Sequence, residues 1–421
     1  MNVTGIIAEY NPFHNGHRYQ IAELKRTQHP DYIIVAMSGD FLQRGAPALI
    51  DKYTRAQMAL CSGADLVLEL PVRFATASAE RFALGGVWLF ATTGLTNTLC
   101  FGTESADFTR ILALARLLTE EPEWYRDSLN AFLKRGLSFP AARAHALPQY
   151  EDLLQTPNNI LALEYCKALL RLDCAITPVP ILRNDKGYHD QGLDQPYASA
   201  SAIRSALLQE ECSGKKQGLS LEACCGKNQG LSQLQSVLPL DSYRLITQFH
   251  ASAPFLWEDD FSLLLHHRLL SEDHNSLLQY ADLTEPLANR ILQKRNDFLS
   301  WSSFCRTLKS RDITYTRISR ILTHILLQLR EVPLNADPPC PLPYLRVLGF
   351  RKSAATLLQK LHAAAKAPII TSLASAERQL DAQGLLLLRE DLHAADVYRS
   401  VLTARSGKLY ANEYTRKLLV V

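Results

Sequence analysis

Short apolar runs alternate with amphipathic segments along the first 110 residues. Four runs have the length and the β-branched, aliphatic composition of buried strands: 3–9, 32–37, 66–70 and 98–101. Segments with apolar residues at helical spacing separate them: about 17–28, 51–61 and 78–92. Continuous apolar strands that alternate with helices are typical of a parallel sheet covered on both faces. The pattern predicts an α/β domain with a parallel sheet and with its ligands at the carboxyl ends of the strands.

The rest of the chain has mainly helical spacing. Residues 105–175 are expected to be mostly helical, 175–182 return to strand character, and 199–208 predict a short helix. From 241 to 421, apolar residues recur at intervals of three and four, which predicts a mostly α-helical C-terminal region.

A polar near-repeat separates these two parts. Residues 214–220 (GKKQGLS) nearly recur as 226–232 (GKNQGLS). Two copies are too few and too polar for a solenoid, and such a composition cannot bury a core. We expect a flexible surface insertion, with a basic loop that touches RNA as the alternative. The predicted domains are therefore 1–205, a linker at 206–240, and 241–421.

Composition excludes several classes of protein. Of the 421 residues, 47% are hydrophobic and 21% charged, which excludes a disordered chain. With 45 Lys and Arg against 42 Asp and Glu, the net charge of +3 leaves room for a local basic face. No apolar run reaches the roughly 20 residues of a membrane helix, and the N-terminus lacks the features of a signal peptide. We expect a cytoplasmic protein with no membrane partner.

The cysteine content also supports a cytoplasmic location. They number nine, with no CxxC pair, so neither a disulfide framework nor a bound structural metal is expected. Cysteines in apolar stretches are expected to be small core residues: Cys61, Cys100, Cys166 and Cys305.

The strongest chemical motif is residues 11–17 (NPFHNGH), directly after the first predicted strand. Two histidines three residues apart at a helix start can face one anion, and Gly16 permits close approach of a phosphate to the backbone. Imidazole N–H groups there can stabilise charge that develops on phosphate. The alternative is a pair of capping histidines.

These residues resemble the HxGH motif of the HIGH-type nucleotidyltransferase superfamily, which implies a Rossmann-like α/β domain followed here by the mostly α-helical C-terminal region. Within it, the chain is similar to bacterial tRNA(Met) cytidine acetate ligases, strongly over 1–205 and more loosely in the helical half. The matching segments are 5–17, 37–45, 63–71, 101–104, 157–161 and 199–204. One departure is Asp40, where the family is expected to have Asn; an acid near a triphosphate is unfavourable unless it faces magnesium.

The resemblance implies a two-step ligase. Acetate and ATP, with Mg²⁺, would give acetyladenylate and pyrophosphate, and acetyl would pass to the exocyclic amine of the wobble cytidine of elongator tRNA(Met). It implies His14, His17, Ser201 and Arg204 as catalytic residues. It implies as ATP-binding residues Ile7, Ala8, Glu9, Tyr10, Asn11, Pro12, Phe13, His14, Asn15, Gly16, His17, Gly102, Arg183 and one of Asn158 and Asn159.

Other polar clusters follow further strands. Loop residues 39–55 include candidates to line an anion or RNA path, with a solvated loop and helix face as the alternative: Gln43, Arg44, Lys52 and Arg55. Glu104 either belongs to the site or caps a helix over 105–118. Residues 187–190 either close over the site or form a plain loop.

Basic residues in the helical half are the remaining candidates. Arg44 and a group at helical spacing are candidate RNA contacts, with a solvated face as the alternative: Lys309, Arg311, Arg317, Arg320 and Arg351. Two other functions compete with the ligase. A small-molecule adenylyltransferase would need no helical half, and a non-catalytic RNA-binding protein would not need the complete HxGH and serine-rich motifs.

Overall fold

The computed structural model describes residues 1–183, 197–216 (side chains to 209), 231–331 and 342–421. The near-repeat and residues 187–190 fall largely or wholly outside these ranges. Elements of the first half are β1 (Val3–Ala8), α1 (Asn15–Gln28), β2 (Tyr32–Ser38), β3 (Phe41–Leu42), β4 (Ala46–Pro47), α2 (Lys52–Cys61), β5 (Leu66–Leu70), α3 (Val72–Ala75), α4 (Ala79–Thr93), β6 (Thr98–Thr103), α5 (Phe108–Glu120), α6 (Glu123–Lys134), α7 (Phe139–Ala146), α8 (Glu151–Leu154), α9 (Pro157–Arg171), β7 (Thr177–Leu182) and α10 (Ala200–Lys216).

The second half is mostly helical, as its spacing predicted. Its elements are α11 (Leu240–Ser252), α12 (Ser262–Ser271), α13 (His274–Leu277), α14 (Glu285–Lys294), α15 (Trp301–Leu308), α16 (Tyr315–Leu327), β8 (Leu345–Phe350), α17 (Ala355–Ala364), β9 (Ile369–Ile370), α18 (Ala382–Ser406) and β10 (Leu419–Val420). Among the described residues, no helix combines the length and apolar character that a membrane span needs.

The main sheet has the order β10-β8-β5-β2-β1-β6-β7, with β9 beside β8. Strands β5, β2, β1, β6 and β7 are mutually parallel, so the predicted fold class is confirmed. Strand β8, which helical spacing did not predict, runs antiparallel to β5 and extends the sheet. The carboxyl ends of the five parallel strands therefore share one edge.

Alternate residues of the central strands enter two separate cores. Ile33, Val35 and Met37 pack on one face with α1, α2 and the C-terminal helices, while Ile34 and Ala36 pack on the other with α4, α5 and α9. The first core runs without interruption from β1 into α11 to α16, and it includes Leu231 and Leu234 from the predicted linker. The division at 205 and 240 stays a prediction.

A buried cluster of charges joins the sheet to the C-terminal segment. The Lys52 Nζ atom lies 2.8 Å from Glu69 and 3.1 Å from Glu413, and Arg346 on β8 pairs with the same two carboxylates. Although burial opposes it, these cations lower the pKa of Glu413 to about 2. Each buried charge thus has partners of opposite sign. Among the predicted core cysteines, Cys61 is instead exposed, because it faces outward at the end of α2.

Candidate active site

A cavity of about 560 Å³ opens at the carboxyl ends of β1, β6 and β7. The strands contribute Glu9, Gly102 and Arg183 to its wall, since each lies at or just beyond the end of its strand. The N-terminal turns of α1, α4, α9 and α10 contribute further lining residues, together with one face of α16. This is the edge at which open parallel sheets bind ligands.

The HxGH turn forms the N-terminus of α1. His14 is the N-cap, and its Nδ1 atom accepts a hydrogen bond from the Gly16 N–H at 3.1 Å. The His17 Nδ1 atom accepts from the His14 N–H at 3.2 Å, and the two rings stack with centroids 3.8 Å apart. A side chain at position 16 would meet the His14 ring at 2.9 Å, so the close turn requires glycine. The capping alternative and the chemical one are thus compatible.

These backbone contacts determine the tautomers of both histidines. A backbone N–H can only donate, so each Nδ1 atom carries a lone pair and each proton resides on Nε2. Burial, together with the positive charges of Arg183 and Arg204, lowers the pKa of His14 to about 3. Burial and the neighbouring His14 lower the pKa of His17 well below its usual value. The pair therefore presents neutral Nε2–H donors in a cavity wall.

The serine-rich segment is tied to the HxGH turn. Arg204, one turn into α10, donates to the Asn11 carbonyl at 2.8 Å and to the Ser201 hydroxyl at 3.3 Å. Ser201 and Arg204 both line the cavity beside His14 and His17. The four residues predicted to be catalytic are thus brought together.

A reciprocal set of hydrogen bonds connects β6 to α9. The Glu104 carboxylate accepts from the Asn158 side chain and from the Asn159 N–H at 2.9 Å. The Asn159 side chain in turn accepts from the Glu104 and Ser105 N–H groups. Glu104 therefore caps α9. The alternative that it caps the following helix is wrong, since Asp107 caps α5. Asn158 faces the cavity and contacts Arg183 at 3.2 Å, whereas Asn159 does not line it.

Two basic residues of α2 have structural positions instead of the predicted anion path. Arg55 is fully buried and donates to the backbone carbonyls of Glu9, Ser38 and Gly39 and to a fourth just before α2. Lys52 belongs to the buried charge cluster. Neither side chain lines the predicted anion path, because the polar face of α2 packs against the loops that follow β1 and β2. Both cations are therefore buried there.

Asp40, the departure from the family pattern, also lies away from the cavity. Its carboxylate accepts the Lys52 N–H at 2.9 Å and lies 3.8 Å from the Lys52 Nζ atom. Burial raises the pKa of Asp40 to about 6, an effect that Lys52 only partly offsets. Its role is to cap α2 beside Asp51 rather than to face a triphosphate.

The cavity wall is strongly cationic. The charged residues that line it, among the described ones, are Glu9 and four arginines: Arg44, Arg183, Arg204 and Arg320. Such a wall attracts a polyanion, and neutral N–H donors beside it can accept developing negative charge. The geometry fits a nucleoside triphosphate that reacts at a phosphate.

Comparisons with known proteins agree with this geometry. Residues 1–413 match the family model described as HIGH Nucleotidyl Transferase. A tRNA(Met) cytidine acetate ligase of Halothermothrix orenii is 35% identical over 94% of both chains, and one of Clostridium acetobutylicum is 35% identical over the whole of both. The chain belongs to the tRNA(Met) cytidine acetate ligase family. The family resemblance inferred from the sequence motifs is thereby confirmed.

Two solved structures of Thermotoga maritima TmcAL have the same fold as this member of the ligase family. The apo form superposes with a TM-score of 0.89 at 28% identity, and a form bound with alpha-thio ATP with a TM-score of 0.87 at 27% identity. Both comparisons cover the whole of each chain. The α/β sheet and its helical C-terminal half are therefore common to all three.

Most residues predicted for ATP in this ligase-family chain line the cavity. They are Ile7, Ala8, Glu9, Tyr10, Asn11, His14, Gly16, His17, Gly102, Asn158 and Arg183. Pro12 and Phe13 are buried behind the turn, and Phe13 packs edge-on against Tyr10. Asn15 faces away and donates to the Ser236 carbonyl at 2.9 Å. These three support the turn from outside the cavity.

The candidate RNA contacts divide into two groups. Arg44 and Arg320 line the cavity of this tRNA(Met) cytidine acetate ligase homologue. Lys309 and Arg311 are exposed, Arg317 is half-buried and donates to the Asp282 carbonyl, and Arg351 lies 3.8 Å from Asp65. None of this second group lines the cavity.

Sequence reasoning missed the contribution of α16 to the site of this ligase-family member. Thr316 and Arg320 lie one turn apart on α16 and both enter the cavity wall. Gly45 at φ +69° lies against α16, and its carbonyl accepts from the Ser319 hydroxyl. A Cβ atom at Gly45 would lie 2.2 Å from the backbone nitrogen of Arg320, so this contact requires glycine. Helical spacing alone does not show which distant loop a helix contacts.

Proposed function

We propose that this protein is an ATP-dependent ligase that acetylates the wobble cytidine of elongator tRNA(Met). Acetate is activated as acetyladenylate, and the acetyl group then passes to the exocyclic amine to give N4-acetylcytidine. The supporting observation is the stacked His14–His17 pair in a cationic cavity, in a chain whose full-length relatives carry the name tRNA(Met) cytidine acetate ligase.

In the first step, an acetate oxygen attacks the α-phosphorus of ATP. The P–O bond to the β-phosphate breaks and pyrophosphate leaves. The Nε2–H groups of His14 and His17 donate to the phosphate oxygens as charge develops on them, while Arg204 and Ser201 bind the leaving pyrophosphate. No proton transfer is required of the histidines, which suits their neutral state.

The nucleoside lies at the β6–β7 side of the cavity in this proposal. Gly102 and the Asn158–Arg183 pair are placed at the strand ends where a base and ribose can approach the backbone. A TmcAL structure bound with alpha-thio ATP supports ATP as the nucleotide. Asn159 acts through its hydrogen bonds to the β6 loop instead of touching the nucleotide.

Magnesium enters this proposal with the triphosphate. Among the described residues, no group of three or more His, Cys, Asp or Glu side chains could hold a metal ion. Mg²⁺ in phosphoryl-transfer sites is held largely by substrate phosphates and water, so the lone cavity carboxylate does not conflict with it. The ion would neutralise charge on the leaving pyrophosphate.

The helical half binds the tRNA in this proposal. Exposed Lys309 and Arg311, with Arg317, form a basic surface on the segment that leads into α16. Because α16 reaches the cavity, RNA bound there lies next to the reacting atoms. We accordingly propose residues 1–205 as the ATP and acetate part and 241–421 as the tRNA part, with Arg44 and Arg320 between them.

The test is incubation of the purified protein with ATP, labelled acetate and tRNA, followed by mass spectrometry of the tRNA nucleosides. We expect labelled N4-acetylcytidine and acetate-dependent release of pyrophosphate. Pyrophosphate release that depends on another small molecule would indicate an adenylyltransferase. RNA binding without pyrophosphate release would indicate a non-catalytic protein.

A further inference from the structure

Glu9 occupies an unexpected place for an acidic residue. Its side chain lines a cavity that we assign to ATP, whose phosphates would repel it. One carboxylate oxygen accepts the Gln43 N–H at 2.8 Å. In the described part of the chain, no lysine or arginine lies within ion-pair distance of this carboxylate. Arg55, whose guanidinium binds the Glu9 carbonyl, interacts with the carboxylate electrostatically at longer range. The second oxygen is therefore available to a ligand that carries a proton.

The backbone around Glu9 is rigidly held. The Glu9 carbonyl accepts from Arg55 at 2.7 Å, and Arg55 also binds the end of β2. The Gln43 N–H that contacts the carboxylate belongs to the loop after β3, which packs on α16 through Gly45. Because contacts hold both its backbone carbonyl and its carboxylate, the Glu9 side chain is preorganised for binding.

Strand order places Glu9 between two ends of the cavity. Gly102, near the end of β6, and Arg183, just after β7, lie on one side of β1, which is the proposed nucleoside end. Gln43 and Arg44 follow β2 on the other side, where α16 brings in Arg320. The RNA-binding half thus reaches the cavity at the end opposite the nucleoside, with Glu9 between the two.

We propose that the Glu9 carboxylate binds the exocyclic amine of the target cytidine and accepts its proton during acetyl transfer. This inference rests on the proposed function. Of Glu9, it leaves only the backbone to the ATP site named above and assigns the carboxylate to the cytidine. Carboxylates are the side chains that accept hydrogen bonds from the cytosine N4 amine. A cytidine of an anticodon loop can leave its stack and enter such a pocket.

The chemistry balances as a simple acyl transfer. The N4 nitrogen attacks the carbonyl carbon of acetyladenylate, and a C–N bond forms. The C–O bond to the phosphate breaks and AMP leaves with the electron pair. The proton lost from N4 moves to the free oxygen of Glu9 and then to solvent. General-base catalysis of this kind contributes about 100- to 10,000-fold to rate.

The experiment separates the two steps with Glu9→Gln. The amide oxygen of Gln can still accept the Gln43 N–H, so the loop contact is retained while the base is removed. Adenylate formation is measured by acetate-dependent exchange of labelled pyrophosphate into ATP, and by trapping acetyladenylate with hydroxylamine, which needs no enzymatic base. Transfer is measured in single turnover with saturating tRNA.

We expect transfer to fall at least about 100-fold relative to exchange and hydroxylamine trapping. Glu9→Asp, which keeps a carboxylate, should restore part of the transfer rate. Equal loss of both steps would overturn the proposal and assign Glu9 to Mg²⁺ or ATP. Normal transfer in Glu9→Gln would overturn it as well. A wild-type protein without acetate-dependent exchange would instead refute the proposed function.

Discussion

Two backbone amides, rather than a neighbouring carboxylate, orient the imidazoles of the HxGH turn. His14 and His17 each accept one N–H at Nδ1, so both rings expose an Nε2–H. Their low pKa values follow from burial and from the nearby arginines. Neutral donors of this kind bind the developing phosphate charge without first having to gain a proton.

Replacing His17 with Ala should therefore remove one donor to the transition state. We expect acetate-dependent pyrophosphate exchange to fall about 100- to 1,000-fold, or roughly 2.7–4 kcal/mol. His267→Ala is the matched control, because His267 is exposed on α12. Equal exchange rates in the two variants would show that His17 only caps the helix.

Stability should also depend on these histidines as the pH falls. The folded-state pKa of His14 is lowered to about 3, whereas an unfolded histidine binds a proton near pH 6.5. Its contribution is therefore fully present above about pH 6.5 and is lost as the pH falls towards 3. His14→Asn keeps an acceptor for the Gly16 N–H and removes the titration.

In denaturant unfolding of the ligand-free protein between pH 6.5 and 4.5, the stability of His14→Asn should fall less steeply than that of the wild type. The difference should approach roughly 1.4 kcal/mol per pH unit. The exposed His267→Asn should keep the wild-type slope. Identical slopes for all three proteins would contradict a neutral, buried His14.

Residue patterns predicted the centre of the site but not its supports. A histidine pair after the first strand, and serines before Arg204, are local features that a single sequence displays. Lys52 and Arg55 have the same appearance as surface cations, because their partners come from β5, the β2 loop and the C-terminal segment. Only the folded chain brings those partners together.

Among the elements, the short β3–β4 hairpin connects the two halves of the molecule at the site. Gly45 lies on α16 with positive φ, so replacing it with Ala adds both backbone strain and an overlap with Arg320. Gly136 also has positive φ but has open space around its α-carbon. Comparing the same substitution at these two glycines therefore separates the free-energy cost of a positive φ from the free-energy cost of the steric contact with α16.

Gly136→Ala should destabilise the protein by about 1–2 kcal/mol. Gly45→Ala should cost a further 1–3 kcal/mol or so, because the hairpin must move away from α16. Thermal unfolding of both variants measures the difference. Comparable losses would mean that the hairpin and α16 adjust without strain.

Strand prediction succeeded for the parallel elements and failed for β8. The first strands are continuous apolar runs, which only a doubly covered sheet accommodates. Strand β8 contains Arg346 as its second residue and lies in a mainly helical half. Its partner β5 is remote in sequence, and the carboxylates that neutralise Arg346 are equally remote.

At the scale of the whole molecule, the buried charge cluster attaches the C-terminal segment to the sheet. Arg346→Met leaves Glu69 and Glu413 with fewer partners, and we expect a loss of about 3–5 kcal/mol in unfolding free energy. Arg351→Met, which removes a half-exposed pair with Asp65, should cost less than about 1 kcal/mol. Urea unfolding measures the free energy of unfolding of both variants. Equal losses in the two would show that the buried charge cluster does not stabilise this attachment.

The proposed tRNA surface makes a separate prediction. Converting Lys309, Arg311 and Arg317 to Gln should weaken tRNA binding, and each lost phosphate contact should flatten the salt slope by about one. Three exposed cations on the opposite part of the chain serve as control: Arg116, Arg126 and Lys134. Pyrophosphate exchange should survive in both triple variants. Wild-type affinity and salt slope in the first variant would identify that surface as merely solvated.

The antiparallel position of β8 has a consequence for synthesis on the ribosome. Strand β5 is made early, but the strand that pairs with its outer edge begins at Leu345, in the last fifth of the chain. Until then the nascent sheet ends in an unpaired strand edge, and such edges promote aggregation by pairing with other chains. The cavity also lacks α16 until most of the chain has been translated. The nascent chain therefore completes neither the sheet edge nor the cavity until nearly all of it has emerged, and translation that stops before β8 yields a fragment with an exposed sheet edge.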